Sequence, residues 1–339
     1  MADKCPPAGW SSNELEHVQK CPACHSDQSA FAYEGLRDDL EGVPGEWSMR
    51  RCVACGSFYL DVRPSAEAIG KAYVSYHTHT DALVQASEDN GSSLLWRWAN
   101  GYMRARYGAS RAPSSFLGRW VLPLLPPLQQ QLDYFYRYLP ARPGRLLDVG
   151  CGNGVFLTRA RAAGWSTQGI EPDPKAVAAA QRAGLDVAEG TLDSCPGLGL
   201  FDVVTASHVI EHVHDPLAFL RQIHDRLRPG GQLWLATPNA GSLGHRVFGK
   251  AWRGLEPPRH MTVFSLPALR LLLEQAGFAQ IKPRHRGRGS RYILQASRDV
   301  ARNHGITGGY IPPTFVDVLA TLSTSHAEEC VITAVKVGR

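Results

Sequence analysis

From Arg145 onward, short apolar runs alternate with stretches whose apolar residues recur every three or four positions. That alternation predicts parallel strands joined by helical crossovers. Strands are expected over 145–149, 166–170, 185–188, 201–206, 232–236 and 278–283, with a last one over 330–337. Helices are expected over 174–183 and 265–276, the second with Pro267 near its start and Gly277 at its end. Upstream the pattern changes. Residues 31–33, 47–51 and 58–60 read as short strands, and 61–139 reads as helical pieces: one from the N-cap candidate Ser65 through Ile69 and Tyr73, one over 94–107, and one over 128–139 after the break at Pro123, Pro126 and Pro127. The expected organisation is a tail over 1–20, a small module over 21–60, a helical linker or lid over 61–139, and an α/β domain over 140–339 with an insertion over 291–328.

Composition narrows the class. With 339 residues, 44% hydrophobic and 20% charged, the chain can bury a large core and resembles an ordinary soluble protein. No run approaches the roughly eighteen apolar residues of a membrane span, and the first ten residues lack the apolar core of a signal peptide, so the cytoplasm is the expected location. The net charge of +5 admits an anionic partner without requiring one. Arg284, Arg286, Arg288 and Arg291 cluster with His285, but without the interleaved aromatics that stack bases, so a solvated loop is favoured over a nucleic-acid site.

The eight cysteines divide into two groups. Cys21, Cys24, Cys52 and Cys55 form two C-x-x-C pairs, while Cys5, Cys151, Cys195 and Cys330 are scattered. Paired knuckles in a reducing compartment predict a closed, tetrahedral, structural zinc site, with no vacancy for the adjacent His25. The module resembles a zinc ribbon.

The chain is organised around R-L-L-D-V-G-C-G-N-G-V-F-L at 145–157: a strand, a tight glycine turn and a helix start. Gly150, Gly152 and Gly154 alternate behind Asp148, unlike the G-x-G-x-x-G dinucleotide fingerprint. This spacing resembles motif I of the class I S-adenosylmethionine (SAM) methyltransferases. Glu171 in G-I-E-P-D, the stretch F-D-V-V-T-A-S-H-V-I-E-H from Phe201, and L-R-P-G-G-Q-L-W-L-A-T-P-N from Leu227 follow in that family's order. The resemblance implies a Rossmann-like, doubly wound, seven-stranded and mostly parallel sheet, whose last strand forms an antiparallel hairpin with the one before it. It implies that Asp148, Gly150, Gly152 and Gly154 face the methionine portion of SAM, with Cys151 a small turn residue. Glu171 would take the ribose, Pro172 and Asp173 the adenine edge, and Thr191 and Leu192 a second adenine wall, with Asp193 a weaker candidate.

On the acceptor side, His208, Glu211 and His212 follow the fourth strand, and Pro257-Pro258-Arg259-His260 is expected to return to the same end of the sheet. Histidine serves as a base near neutral pH, which makes His208, His212 and His260 candidates, with His208 or His260 foremost. The same set resembles the Glu-x-x-Glu-His plus distant His of metal-dependent small-RNA 2′-O-methyltransferases and the Glu-His of some quinone O-methyltransferases, with His208 in place of the first glutamate. A catalytic divalent metal at Glu211, His212 and His260 is therefore the alternative to an organic base. The segment Tyr76-His77-Thr78-His79 resembles an active-site-mouth segment of bacterial small-molecule and glycan methyltransferases. The leading expectation is methyl transfer to a hydroxyl or activated carbon of a small molecule (a sugar, natural product, quinone-like compound or glycan precursor). An RNA methyltransferase and a non-catalytic SAM-binding protein stay open beside it, and the oligomeric state is left open.

Overall fold

The computed structural model describes residues 7–73, 93–306 and 309–338. Strands β1 (Leu15–His17), β2 (Ser29–Leu36), β3 (Trp47–Cys52), β4 (Phe58–Leu60) and β5 (Val62–Pro64) come first. Helices α1 (Leu94–Tyr107), α2 (Gly118–Val121) and α3 (Pro126–Phe135) lead into β6 (Arg145–Val149), α4 (Val155–Ala162), β7 (Ser166–Glu171), α5 (Pro174–Arg182) and β8 (Val187–Glu189). Then follow β9 (Phe201–Ser207), α6 (Pro216–Arg226), β10 (Leu227–Pro238), α7 (Leu243–Phe248), β11 (Thr262–Val263) and α8 (Leu266–Gln275). Last are β12 (Phe278–Arg284), α9 (Ser290–Asn303), α10 (Pro313–Leu322) and β13 (Glu329–Lys336).

The main sheet has seven strands in the order β12-β13-β10-β9-β6-β7-β8. The five from β10 to β8 are parallel, and β13 runs antiparallel between β10 and β12. Successive side chains on the central strands serve opposite layers, as the pleat demands. Leu147 and Val204 join the core under α6 and α8, while Leu146 and Val203 join the core under α1, α3 and α4. The expected doubly wound α/β fold is thus present, and α9 and α10 occupy the segment 291–328. Two local expectations differ. The helix from Ser65 is a single 3₁₀ turn at Ile69–Tyr73, where the Ala72 carbonyl accepts from Arg259 Nη1 at 3.3 Å. After α3 the chain does not remain helical to 139, because Arg137 and Tyr138 turn left-handed at φ 48° and 51°. Tyr76, His77, Thr78 and His79 lie outside the described residues.

The small N-terminal sheet is not self-contained. Its order is β11-β4-β3-β2, so its edge strand comes from beyond residue 260, with Thr262 opposite Tyr59 and Val263 opposite Phe58. A second link is electrostatic. Arg259, wholly buried, donates from Nη1 and Nη2 to the two carboxylate oxygens of Asp38 at 2.8 and 2.7 Å, and from Nε to Glu256 at 2.9 Å. Asp38 also accepts backbone N–H groups from Leu40, Glu41 and Val43, so one carboxylate shapes its own loop and grips the later half of the chain.

Removing one partner of such a buried pair strands a charge, at a cost of about 3–5 kcal/mol. Asp38→Ala is expected to lower the unfolding free energy by about 3 kcal/mol in denaturant titrations; a change below about 1 kcal/mol would contradict the clamp. Burial opposes the Asp38 charge, but Arg259 holds its carboxyl below the usual range. A depressed folded value stabilises above the unfolded value of about 3.9 and loses that contribution as pH falls through the folded one, so wild type should lose more stability than Asp38→Asn below about pH 4.

Candidate active site

The first element of the site is the cysteine cluster. Cys21 and Cys55 place their sulfurs 3.7 Å apart, Cys24 and Cys52 3.5 Å, and all four lie within 4.8 Å of one another. Zinc–sulfur bonds of about 2.3 Å require sulfurs about 3.8 Å apart in a tetrahedron, so the set fits zinc without rearrangement. The knuckles are built alike: His25 N–H donates to the Cys21 carbonyl at 2.8 Å and Gly56 N–H to the Cys52 carbonyl at 3.0 Å. His25 and Gly56 both take positive φ, 58° and 75°. His25 therefore serves as the turn residue of its knuckle. The cluster packs in the same core as Phe264 and Leu269, against the α/β domain.

At the carboxyl end of β6, the turn is tied down by Gly150 and Cys151 N–H groups donating to the Ile170 carbonyl at 2.8 and 3.1 Å. A Cβ on Gly150 would meet Val209 at 2.5 Å and one on Gly154 would meet Leu185 at 2.2 Å, whereas one on Gly152 would meet nothing within 4 Å. Gly150 and Gly154 thus serve packing, and Gly152 faces open space. Glu171 spans the mouth of the turn, accepting from Gly152 N–H at 2.8 Å and Asp173 N–H at 3.0 Å; burial raises its carboxyl while these N–H groups oppose the shift. Asp148 is fully buried, accepts from Thr205 Oγ1 at 2.8 Å and from Arg137 Nη1 through Oδ1, and leaves Oδ2 buried without a partner. An orphaned acidic oxygen behind an open glycine turn fits a cationic, polar ligand portion such as the methionine end of SAM.

The adenine-side residues are placed unevenly. Pro172 is exposed, and Asp173 caps α5 by accepting from Lys175 N–H at 2.9 Å. Leu192 is buried in the core that holds Val149 and Ile170, with Thr191 exposed beside it. Asp193 is exposed and accepts from Gln222. The Cys151 thiol is pushed up by burial, in keeping with a turn residue.

The acceptor-side residues do converge. Met261 N–H donates to the Glu211 carbonyl at 2.9 Å, joining the segment after β9 to the one before β11. Glu211 is fully buried, accepts from Thr237 Oγ1 at 2.8 Å and lies 3.1 Å from His208 Nδ1. His212 Nδ1 is 3.0 Å from both the Arg259 carbonyl and the Tyr73 hydroxyl, and His260 Nδ1 is 2.8 Å from the Gly254 carbonyl. A carbonyl only accepts, so both Nδ1 atoms carry a proton, and Nε2 of His260 lies 3.5 Å from Glu256 Oε2. The two rings stand 4.8 Å apart, and one ligand atom from each of Glu211, His212 and His260 falls within 4.8 Å of the others. Burial pulls His260 down to about 4 against the pull of Glu256, so it is a neutral imidazole at pH 7. His208 is the opposite case. Its ring is 40% exposed, and the Glu211 and Glu329 carboxylates beside it raise it to about 10. The proton of His208 is held, and the ring acts as a cation between two carboxylates.

Two groups that contact these residues had no sequence signal. Glu329, the first residue of β13, places Oε1 3.6 Å from His208 Nε2 and accepts from Arg286 Nε at 2.9 Å, while Arg286 lies 3.7 Å over the Tyr134 ring. Arg137, in its left-handed turn, stacks 3.8 Å over Phe156 while pairing with Asp148. Each depends on strands or turns that meet only in the folded chain. The basic stretch also turns partly inward: Arg284 donates to Thr333 at 2.8 Å and Arg286 to Glu329.

Residues 125–282 match the family model described as a methyltransferase domain. The ubiquinone biosynthesis O-methyltransferase of Parvibaculum lavamentivorans is 39% identical over 108 residues, covering 30% of this chain and 43% of that protein. The enzyme of the same name from Xanthomonas oryzae is 35% identical over 117 residues, covering 32% and 49%. The chain thus spans less than half the length of these curated relatives. Among solved structures, a Thermotoga maritima SAM-dependent methyltransferase, described as a possible histamine N-methyltransferase, is similar at 21% identity and a TM-score of 0.43, over 65% of this chain and 96% of that one. Phosphoethanolamine N-methyltransferase 2 of Haemonchus contortus, in complex with SAM, is similar at 16% identity and a TM-score of 0.45, over 91% and 69%.

Two measurements check the site. Elemental analysis of purified protein is expected to find one zinc per chain, lost with Cys24→Ser; a metal-free protein with the same thermal midpoint would contradict a structural zinc. Glu171→Ala is expected to weaken SAM binding at least about tenfold by calorimetry, through loss of a charged acceptor, and an unchanged Kd would remove Glu171 from the ribose site.

Proposed function

We propose that this chain, which carries a methyltransferase domain of the class I SAM-dependent type, transfers the methyl group of SAM to a hydroxyl oxygen of a small molecule, with the quinone-like class foremost. The word O-methyltransferase in the names of its relatives supports oxygen as the acceptor atom. One observation carries the reading: Glu211, His212 and His260 converge at the end of the sheet where the glycine turn opens. SAM supplies an electrophilic methyl group on a sulfonium, and the chain's own residues supply alignment and the handling of the acceptor proton. Asp148, Gly152 and Glu171 hold the cofactor side. His260, neutral with Nδ1 committed to the Gly254 carbonyl, offers Nε2 as the base. His208 is a less apt base, since Glu211 and Glu329 retain its proton, and it instead fixes the Glu211 carboxylate.

The convergence also supports a second reading. A divalent ion on Glu211, His212 and His260 would lower the pKa of a bound hydroxyl. Carbonyls on both Nδ1 atoms are the outer partners such ligands commonly have. The four cysteines hold zinc in either reading and stabilise the ribbon that sits over this end of the fold. The internal engagement of Arg284 and Arg286 counts against an RNA substrate.

The test is transfer of labelled methyl from SAM into a fractionated cell extract. Label is expected in the small-molecule fraction. Loss of a positioned acid–base group costs roughly 10²–10⁴ in rate, so His260→Ala should slow transfer at least about 100-fold with SAM affinity within about twofold. Activity that survives mild chelation supports His260 as base; activity lost while the cysteine-bound zinc remains supports the ion. Label in RNA, or a His260→Ala variant as fast as wild type, would overturn the reading.

A further inference from the structure

The helical segment before β6 carries an uncovered apolar ridge. Phe116, Trp120 and Leu124 are 77%, 64% and 78% exposed, and Leu117 and Leu125 are exposed beside them. Phe116 precedes α2, Trp120 lies on it and Leu124 ends the 3₁₀ turn that continues it, so the three exposed side chains fall within nine consecutive residues. Isolated exposed apolar residues are ordinary, but several large ones in a row mark a contact surface.

The ridge is built, not frayed. Two glycines allow α2 to lie against α1 at backbone contact: a Cβ on Gly101 would sit 1.7 Å from the Ser115 carbonyl oxygen, and one on Gly118 would sit 1.8 Å from that of Trp98. Ser115 N–H donates to the Arg97 carbonyl at 2.8 Å, and Asn100 Nδ2 to the Pro113 carbonyl at 2.9 Å. Meanwhile Tyr102, Met103 and Tyr107 take α1 into the core. Packing thus consumes one face of α1 together with Gly118 and Leu122, and leaves Phe116, Trp120 and Leu124 outside.

Charge identifies the occupant. Residues 94–132 contain five arginines and no aspartate or glutamate. Arg119 lies 4.7 Å over the ring of Trp120, so a cation and an interfacial aromatic sit together on the ridge. Aromatic and aliphatic side chains that insert at the headgroup level, flanked by arginines that meet anionic lipid, are the composition of an interfacial anchor. No helix among the described residues is long and apolar enough to cross a membrane, so the mode is surface docking.

We propose that the Phe116–Trp120–Leu124 ridge docks this protein onto an anionic lipid surface. The proposal stands apart from the acceptor's identity, because it concerns a face built before the catalytic domain begins. Sedimentation with phosphatidylcholine vesicles, with and without roughly one-third phosphatidylglycerol, tests it. Wild type is expected to pellet with the anionic vesicles and to be partly released by high salt, which screens the arginines. Trp120→Ser with Leu124→Ser should reduce the bound fraction at least about tenfold, and Arg119→Glu should reduce it on anionic vesicles, with thermal midpoints unchanged because these side chains lie outside the core. Wild type that stays in the supernatant with both vesicle types, or a double variant that binds as wild type does, would overturn the proposal. So would a wild-type dimer in light scattering that the double variant converts to monomer without vesicle binding, since the ridge would then be a seat for a second copy.

Discussion

The buried guanidinium of Arg259 is the constraint on which the two halves of the molecule depend. It is fully enclosed, and its donors reach Asp38 in the ribbon, Glu256 in the segment before β11, and the Ala72 carbonyl. A charge in that position is tolerable only because every direction it faces holds an acceptor. The same residue reaches the histidines: its own carbonyl accepts from His212, and its neighbour His260 enters the cluster. The ribbon, the 3₁₀ turn at Ile69–Tyr73 and the histidine pair are therefore placed by one side chain and its peptide.

This ties the small cysteine module to the seven-stranded sheet. The small sheet of β2, β3 and β4 buries Trp47, Met49 and Leu60 in one core with Trp252 and Met261. The sheet then accepts β11, and β11 fixes Met261, whose N–H meets the Glu211 carbonyl. The four-cysteine cluster and the His212–His260 pair are joined through a strand pairing and one arginine.

Much of this was legible in the sequence, and the limits follow from physics. The glycine turn, the alternating strands and the paired knuckles are local patterns, and the seven-stranded sheet and the four-sulfur cluster follow them closely. Expected and observed strand limits differ by a few residues, as at β8 and β10, where pairing with a neighbour extends or shortens what propensity suggests. What stayed hidden is non-local. Nothing in Thr262–Val263 announces an edge strand for residues 58–59, some two hundred positions earlier. Glu329 reaches His208 only because β13 enters the sheet beside β10, and Arg137 reaches Asp148 only through two left-handed residues after α3. His208 looks like a base in the sequence, and only its two carboxylate neighbours reveal a held proton.

Arg259 joins the ribbon, through Asp38, to the segment that carries His212 and His260. Arg259→Lys keeps the charge and loses the planar fork that serves Asp38 and Glu256 together. Single-turnover methyl transfer and SAM binding, measured on the same preparation, test the claim directly. A SAM Kd within about twofold of wild type and a transfer rate at least about 100-fold lower are expected, because the His212–His260 pair loses its geometry. A rate equal to wild type, or a rate that falls only in step with SAM affinity, would contradict it.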